Sequence, residues 1–400
     1  MTNVSVLLLI LEVILAAFFV EVTSYNRPPP REPLSVPTDS YGSTTPQQVH
    51  ISMVGTDRMR ITWITREAAS SKVEYGTSPG VYDISVDGSS TTYEYLLYKS
   101  GQIHEAIVGP LRPNTVYYYR CSQDPYRDFA FKTAPAQLPI NFVVIDYWQP
   151  KWDSFGRLVE PLASKRPWMV TQGNHEVEKM SIIHDTPFTS YNARWHMPFE
   201  ESKSPSNLYY SFDVASEVHV IMLGSYTDFG QGSSQYIWLE SDLNKVDRKK
   251  TPWVVVLVHA PWYSSNKAHS GEYESVGMRK AMEQLLYHGK VDLVFSGHVH
   301  AYERFTRVYN GIANKCGPVH ITIGDGGNRE GLATEYTEPK PEISIFREAS
   351  FGHGQLQVVN STHAQWTWHR NEDSLSIATD SIWLTTVISD PDCNPQHNKF

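Results

Sequence analysis

A chain of 400 residues and 45.5 kDa is too long for one core at about 150 residues per domain, so two or three folding units are expected and a single small fold is excluded. Hydrophobic residues make up 40%, charged residues 19% and aromatics 12%, a balance that excludes a disordered chain. With 34 basic against 43 acidic side chains and a formal net charge of -9, no cationic face is available for a polyanion, which excludes DNA and RNA as partners.

Residues 1–24 carry the apolar runs 4–11 and 13–20, split by Glu12 and followed by the small residues Thr23 and Ser24. This pattern predicts a signal peptide and a secreted protein. Glu12 leaves no uninterrupted apolar stretch of about 18 residues, so no membrane anchor is expected. Asn360-Ser361-Thr362 is an acceptor for N-glycosylation and fits the same route. The three cysteines, Cys121, Cys316 and Cys393, are too scattered for a metal knuckle or a dense disulfide framework. Their odd number leaves a thiol buried, free or paired with another subunit, and a homodimer is one reading of it.

Residues 25–47 are rich in proline (Pro28, Pro29, Pro30, Pro33, Pro37, Pro46), which holds a leader extended and forbids a helix. Residues 48–134 then alternate in short segments, such as 59–64 and 116–120, between turns at Gly55, Gly76, Gly80 and Gly88. They predict a small all-β sandwich. Within it, Leu111 to Tyr117 resembles the strand-entry corner of fibronectin type III-like domains, where a tyrosine hydroxyl ties down the preceding loop.

After the proline joint at 134–139 the pattern changes to strands alternating with helical stretches, so an α/β domain is expected over 140–400. Buried strands are predicted at 141–145, 168–171, 218–223, 253–258 and 291–295. Helical spacing at Tyr236, Leu239, Leu243 and Val246, and at Ala281, Met282, Leu285 and Leu286, predicts helices that cover the sheet. Three strands run directly into polar clusters: Gly173-Asn174-His175-Glu176, His259, and Gly297-His298-Val299-His300. Ligands in layered α/β sheets are met beyond the carboxyl ends of strands, so clusters far apart in sequence can converge. Neutral imidazole is the commonest metal ligand, and His-x-His at a strand end brings two rings to one site. A single histidine among 16 would ordinarily be structural or exposed; the ordered combination points to a metal centre.

These clusters, together with the segments 152–163, 167–176, 259–263, 300–304 and 323–328, resemble the plant-type purple acid phosphatases of the metallophosphoesterase superfamily. The resemblance implies a fibronectin type III-like sandwich followed by a layered αββα metallophosphoesterase domain. It implies hydrolysis of phosphate monoesters at acidic pH by metal-bound hydroxide at ferric iron beside zinc, manganese or ferrous iron, and an extracellular, cell-wall or vacuolar location. Carried over by position, Asn174, His259 and His298 would hold the divalent ion and His300 the ferric ion. Asn174, His298 and His300 would also border the substrate phosphate, while His175 and His269 would bind phosphate and help to protonate the leaving alkoxide.

The family's first two motifs, Gly-Asp-x-Gly and Gly-Asp-x-x-Tyr, are expected after the strand at 142–145, and neither follows it. Ile145 runs straight into Asp146, as if about 30 or more residues, the size of a βαβ unit, were deleted, by splicing or by an error in the gene's reading. Two aspartates and a tyrosinate are thereby lost, and the remaining ligands, Asn174, His259, His298 and His300, are all neutral. A hard ferric ion prefers anionic oxygen, so a single divalent ion is expected here. Asp146 stands near the place of the first lost aspartate and is read either as its substitute or as a solvated or helix-capping residue. The alternative to an enzyme is a catalytically inactive, phosphatase-like secreted binding protein; a diesterase or phytase of the same superfamily is the other enzymatic reading. Arg329, Glu330 and Tyr263 are taken as rim residues.

Overall fold

The computed structural model describes residues 37–144, 152–179, 184–328, 330–371 and 378–393. The predicted signal peptide, most of the proline leader, Asp146 and Arg329 lie outside the described residues.

Alternating apolar residues first build a β-sandwich. One antiparallel sheet runs in the order Gln47–Val54, Arg58–Thr65, Gln102–Val108, Ser89–Thr91, and the facing one in the order Phe129–Lys132, Val116–Cys121, Lys72–Gly76, Ile84–Asp87. Trp63, Tyr119, Phe131 and Val49 fill the space between them. The backbone N–H of Arg112 donates to the Tyr117 hydroxyl at 2.9 Å, which is the expected tyrosine corner.

In the second domain, four parallel strands form the heart of an eight-stranded sheet: Val218–Leu223, Trp253–Val258, Leu293–Ser296 and Val319–Ile323. Their near-continuous apolar runs suit strands buried on both faces. Helices Ser234–Lys245 and Tyr273–His288 cover one face through Trp238, Leu239, Met278, Met282 and Leu286. Against the other face packs a four-stranded antiparallel sheet in the order Ile140–Val144, Gly352–Val358, His363–Arg370, Asp380–Thr385. Trp366, Trp368, Phe295 and Tyr302 meet between the sheets.

The strand expected at 168–171 is absent: Trp168 N–H donates to the Ile51 carbonyl of the sandwich at 2.9 Å, so the segment is drawn to the other domain and not into a sheet ladder. Within it the carbonyl of Val170 accepts from the hydroxyls of Tyr191 and Tyr210 at 3.1 and 2.7 Å.

Helix Trp152–Ala163 joins the domains, since it lies on strand Gln47–Val54 while Trp152 and Phe155 reach the core between the sheets. The joint centres on buried Arg194. Its guanidinium donates to Gln48 Oε1 at 3.0 Å, to Asp153 Oδ1 at 2.9 Å and to the hydroxyls of Tyr93 and Tyr98 at 2.8 and 2.6 Å. Five donors in a planar fork meet four acceptors, which offsets much of the cost of burying the charge.

Cys316 and Cys393 form a disulfide, and Cys121 is buried with its thiol free.

Candidate metal centre

Because the four central strands are parallel, their carboxyl ends open on one side of the sheet and deliver their loops to one place. Loop 224–226 follows the first, His259 directly follows Trp253–Val258, and His298 stands two residues after Leu293–Ser296. Thr171 donates to the carbonyl of Leu223 at 2.9 Å, which brings Gly173 and Asn174 to the same end. Backbone bonds lock the loops together: Gly297 N–H donates to the His259 carbonyl at 2.9 Å, and Ala260 N–H to Ser225 Oγ at 3.0 Å. Behind them Glu303 accepts from the backbone and hydroxyl of Ser265, and Arg304 grips Asp380 through two bonds of 2.6 and 2.8 Å.

Three of the predicted residues converge. His259 Nε2 lies 3.0 Å from Asn174 Oδ1 and 3.1 Å from His298 Nδ1. His259 fits only because residue 173 is glycine, since a Cβ there would stand 2.6 Å from its imidazole carbon. His269 joins from the other side, its ring centroid 3.8 Å from that of His298. Glu272, unforeseen in the sequence, links the two: its carboxylate accepts from His269 Nδ1 and from His298 Nε2, each at 2.8 Å. Burial pushes the Glu272 carboxyl up, but these two hydrogen bonds outweigh it and hold the group below its ordinary value. The Tyr226 ring lies 5.8 Å from the His259 ring and 6.4 Å from the His298 ring.

His300 and His175 form a second group around Glu330. His300 faces the Gly331 carbonyl at 3.1 Å and Glu330 Oε2 at 3.9 Å, and His175 Nε2 lies 3.8 Å from Glu330 Oε1. The expected outer pair is thus divided, His269 with Glu272 and His175 with Glu330. Tyr263 is no rim residue: it is buried, and its hydroxyl donates to Glu283.

The donor chemistry distinguishes what these residues can hold. Asn174 Oδ1, His259 Nε2 and His298 Nδ1 crowd together, and one imidazole N–H cannot serve two partners at about 3 Å equally well. A divalent cation with three such ligands and an open fourth position fits them. Ferric iron does not fit, because all three donors are neutral and neither aspartate motif follows strand Ile140–Val144.

Family models match almost the whole described chain. Residues 46–133 match the purple acid phosphatase N-terminal domain, 124–302 the calcineurin-like phosphoesterases and 317–379 the iron/zinc purple acid phosphatase-like C-terminal segment. Probable purple acid phosphatase 20 of Arabidopsis thaliana is 56% identical, over 98% of this chain and 100% of its own length.

The chain belongs to the purple acid phosphatase family.

Purple acid phosphatase 18 of the same plant is 54% identical over 91% of this chain and 90% of that one. A purple acid phosphatase from yellow lupin seeds shares the fold, with a TM-score of 0.77 and 20% identity over 89% of this chain and 78% of that one. As a member of the family the chain is a metal-dependent phosphatase with a β-sandwich ahead of its metallophosphoesterase domain. The alignment with the first relative extends over 429 positions, more than the 400 residues present here, so that relative carries sequence without a counterpart in this chain.

Proposed function

We propose that this chain hydrolyses phosphate monoesters at acidic pH around a single divalent ion held by Asn174, His259 and His298, not around the family's ferric–divalent pair. The convergence of these donors within 3.1 Å carries the reading. An ion there supplies a Lewis acid against the phosphate charge.

The rest falls to the chain's own groups. Asn174 and His298 border the phosphate. His269, 37% exposed at its side chain, is placed to donate a proton to the leaving oxygen while Glu272 orients its ring through Nδ1. His175 and His300 lie near Glu330, whose carboxylate oxygens stand 3.8 and 3.9 Å from their rings. Without the two aspartates and the tyrosinate the turnover is expected to lie well below that of a complete binuclear centre.

Purified protein should contain one divalent ion per chain and show no visible tyrosinate band. Phosphate release from an aryl phosphate at about pH 5 should fall by roughly 10²-fold or more in an H298A/H300A variant. Equal rates in the two proteins would identify a binding protein without catalysis, and two ions per chain with a visible band would refute the mononuclear centre.

A further inference from the structure

His269, Glu272 and His298 carry a ligand chemistry separate from that of the Asn174–His259–His298 group. Their ligand atoms all lie within 4.8 Å of one another. We propose that these three residues form a zinc-binding site of their own, with the Glu272 carboxylate as its anionic donor.

Two imidazoles and one carboxylate, with a fourth position left for water, are a donor set that zinc accepts. Glu272 occupies the N-cap of helix Tyr273–His288, yet its side chain makes no capping bond to that helix and is committed to the two rings. Both histidines are held in the left-handed backbone region, at φ 58° for His269 and 65° for His298, where residues other than glycine seldom sit unless their surroundings fix them. The side chains of His269 and Glu272 are each 37% exposed, which leaves a path for an ion, while His298, 5% exposed, anchors the base.

The two sites differ in the nitrogen they take from His298. The Asn174–His259 side uses Nδ1, and the Glu272 side uses Nε2. A neutral imidazole offers one lone pair, so the sites need opposite tautomers and exclude each other. That exclusion, though not the Glu272 site itself, rests on the function proposed above. Zinc on the Glu272 side would also take the lone pair with which His269 handles a proton.

Cobalt(II) is the probe, because its visible absorption reports four-coordinate binding without any assay of activity. An N174A/H259A double variant removes the first site. It should still bind one cobalt ion with the four-coordinate band, and adding E272Q, or separately H269A, should weaken that binding by about tenfold or more. The proposal is overturned if the double variant binds no tighter than the triple variants, for Glu272 would then only orient the two rings. In the converse H269A/E272Q variant, retained cobalt binding supports the Asn174–His259–His298 site. Its loss there, with binding kept in N174A/H259A, overturns that site and leaves the Glu272 site standing. Far-ultraviolet circular dichroism of each variant separates lost binding from lost folding.

Discussion

At the scale of single residues, clearance and charge decide what the centre can do. Gly173 leaves no room for a Cβ beside His259, so a G173A variant should displace that imidazole. We expect a loss of about 10–100-fold in divalent-ion affinity, measured by competition with a chelator, with little change in far-ultraviolet circular dichroism. His219 is a second case, remote from the metal centre. Burial opposes its charge, but Asp213 and Asp242, at 2.7 and 2.9 Å, outweigh it and raise the pKa to about 9. A folded value above the ordinary 6.5 means that this stabilisation is fully present below about pH 6.5 and is lost as the pH rises through about 9. The contribution is on the order of 3 kcal/mol. Unfolding followed from pH 6 to 9.5 should show the wild type losing stability over this window and an H219Q variant losing less.

At the scale of elements, the joint between the domains is polar and fully engaged. Replacing Arg194 by methionine leaves the buried Tyr93 hydroxyl and the partly exposed Asp153 and Tyr98 without their shared donor. The expected cost is about 1–3 kcal/mol, since Asp153 is partly exposed and keeps its bonds from Gln48 and Tyr98, read as a lowered thermal midpoint of both domains in calorimetry. Unchanged midpoints would show that water takes over the role of the guanidinium. Legibility in the sequence followed the same physics. Strands Val218–Leu223 and Trp253–Val258 were readable because strands buried on both faces are continuous apolar runs. Segment 168–171 is similarly apolar, but its backbone bonds to Ile51 of the sandwich, a contact distant in the chain that composition does not report. Glu272 left only a faint signal, a glutamate three residues after His269 and just ahead of an amphipathic stretch, because its partner His298 arrives from another strand end. Convergence of His259 and His298 was legible because parallel strands must open on one side, whereas Asn174 reaches them from a segment that forms no strand and is tied to Leu223 through Thr171.

At the scale of the whole molecule, the C-terminal segment is fastened at two points. Buried Asp292 accepts from the backbone of Val254 and Val387 at 2.9 and 2.6 Å, and the Cys316–Cys393 disulfide closes a separation of 77 residues. Cysteine spacing could not foretell that pairing, since a loop of this length is set by the fold. A C393S variant should be less stable by about 2–4 kcal/mol in urea, with phosphatase activity at low temperature unchanged, because the bridge lies away from the centre. Asn360, of the Asn-Ser-Thr triplet, stands exposed between strands Gly352–Val358 and His363–Arg370.

The sandwich, finally, serves the rest of the chain as a splint. Helix Trp152–Ala163 begins just past the junction where the family's two motifs are missing, and it is clamped from outside its own domain. Asp153 accepts from Gln48 and from Tyr98, while Glu160 accepts from the backbone of Val49 and pairs with Arg127. Sequence can therefore be cut out upstream of this helix without setting it adrift, and a shortened polypeptide keeps its scaffold even as its chemistry is pared down.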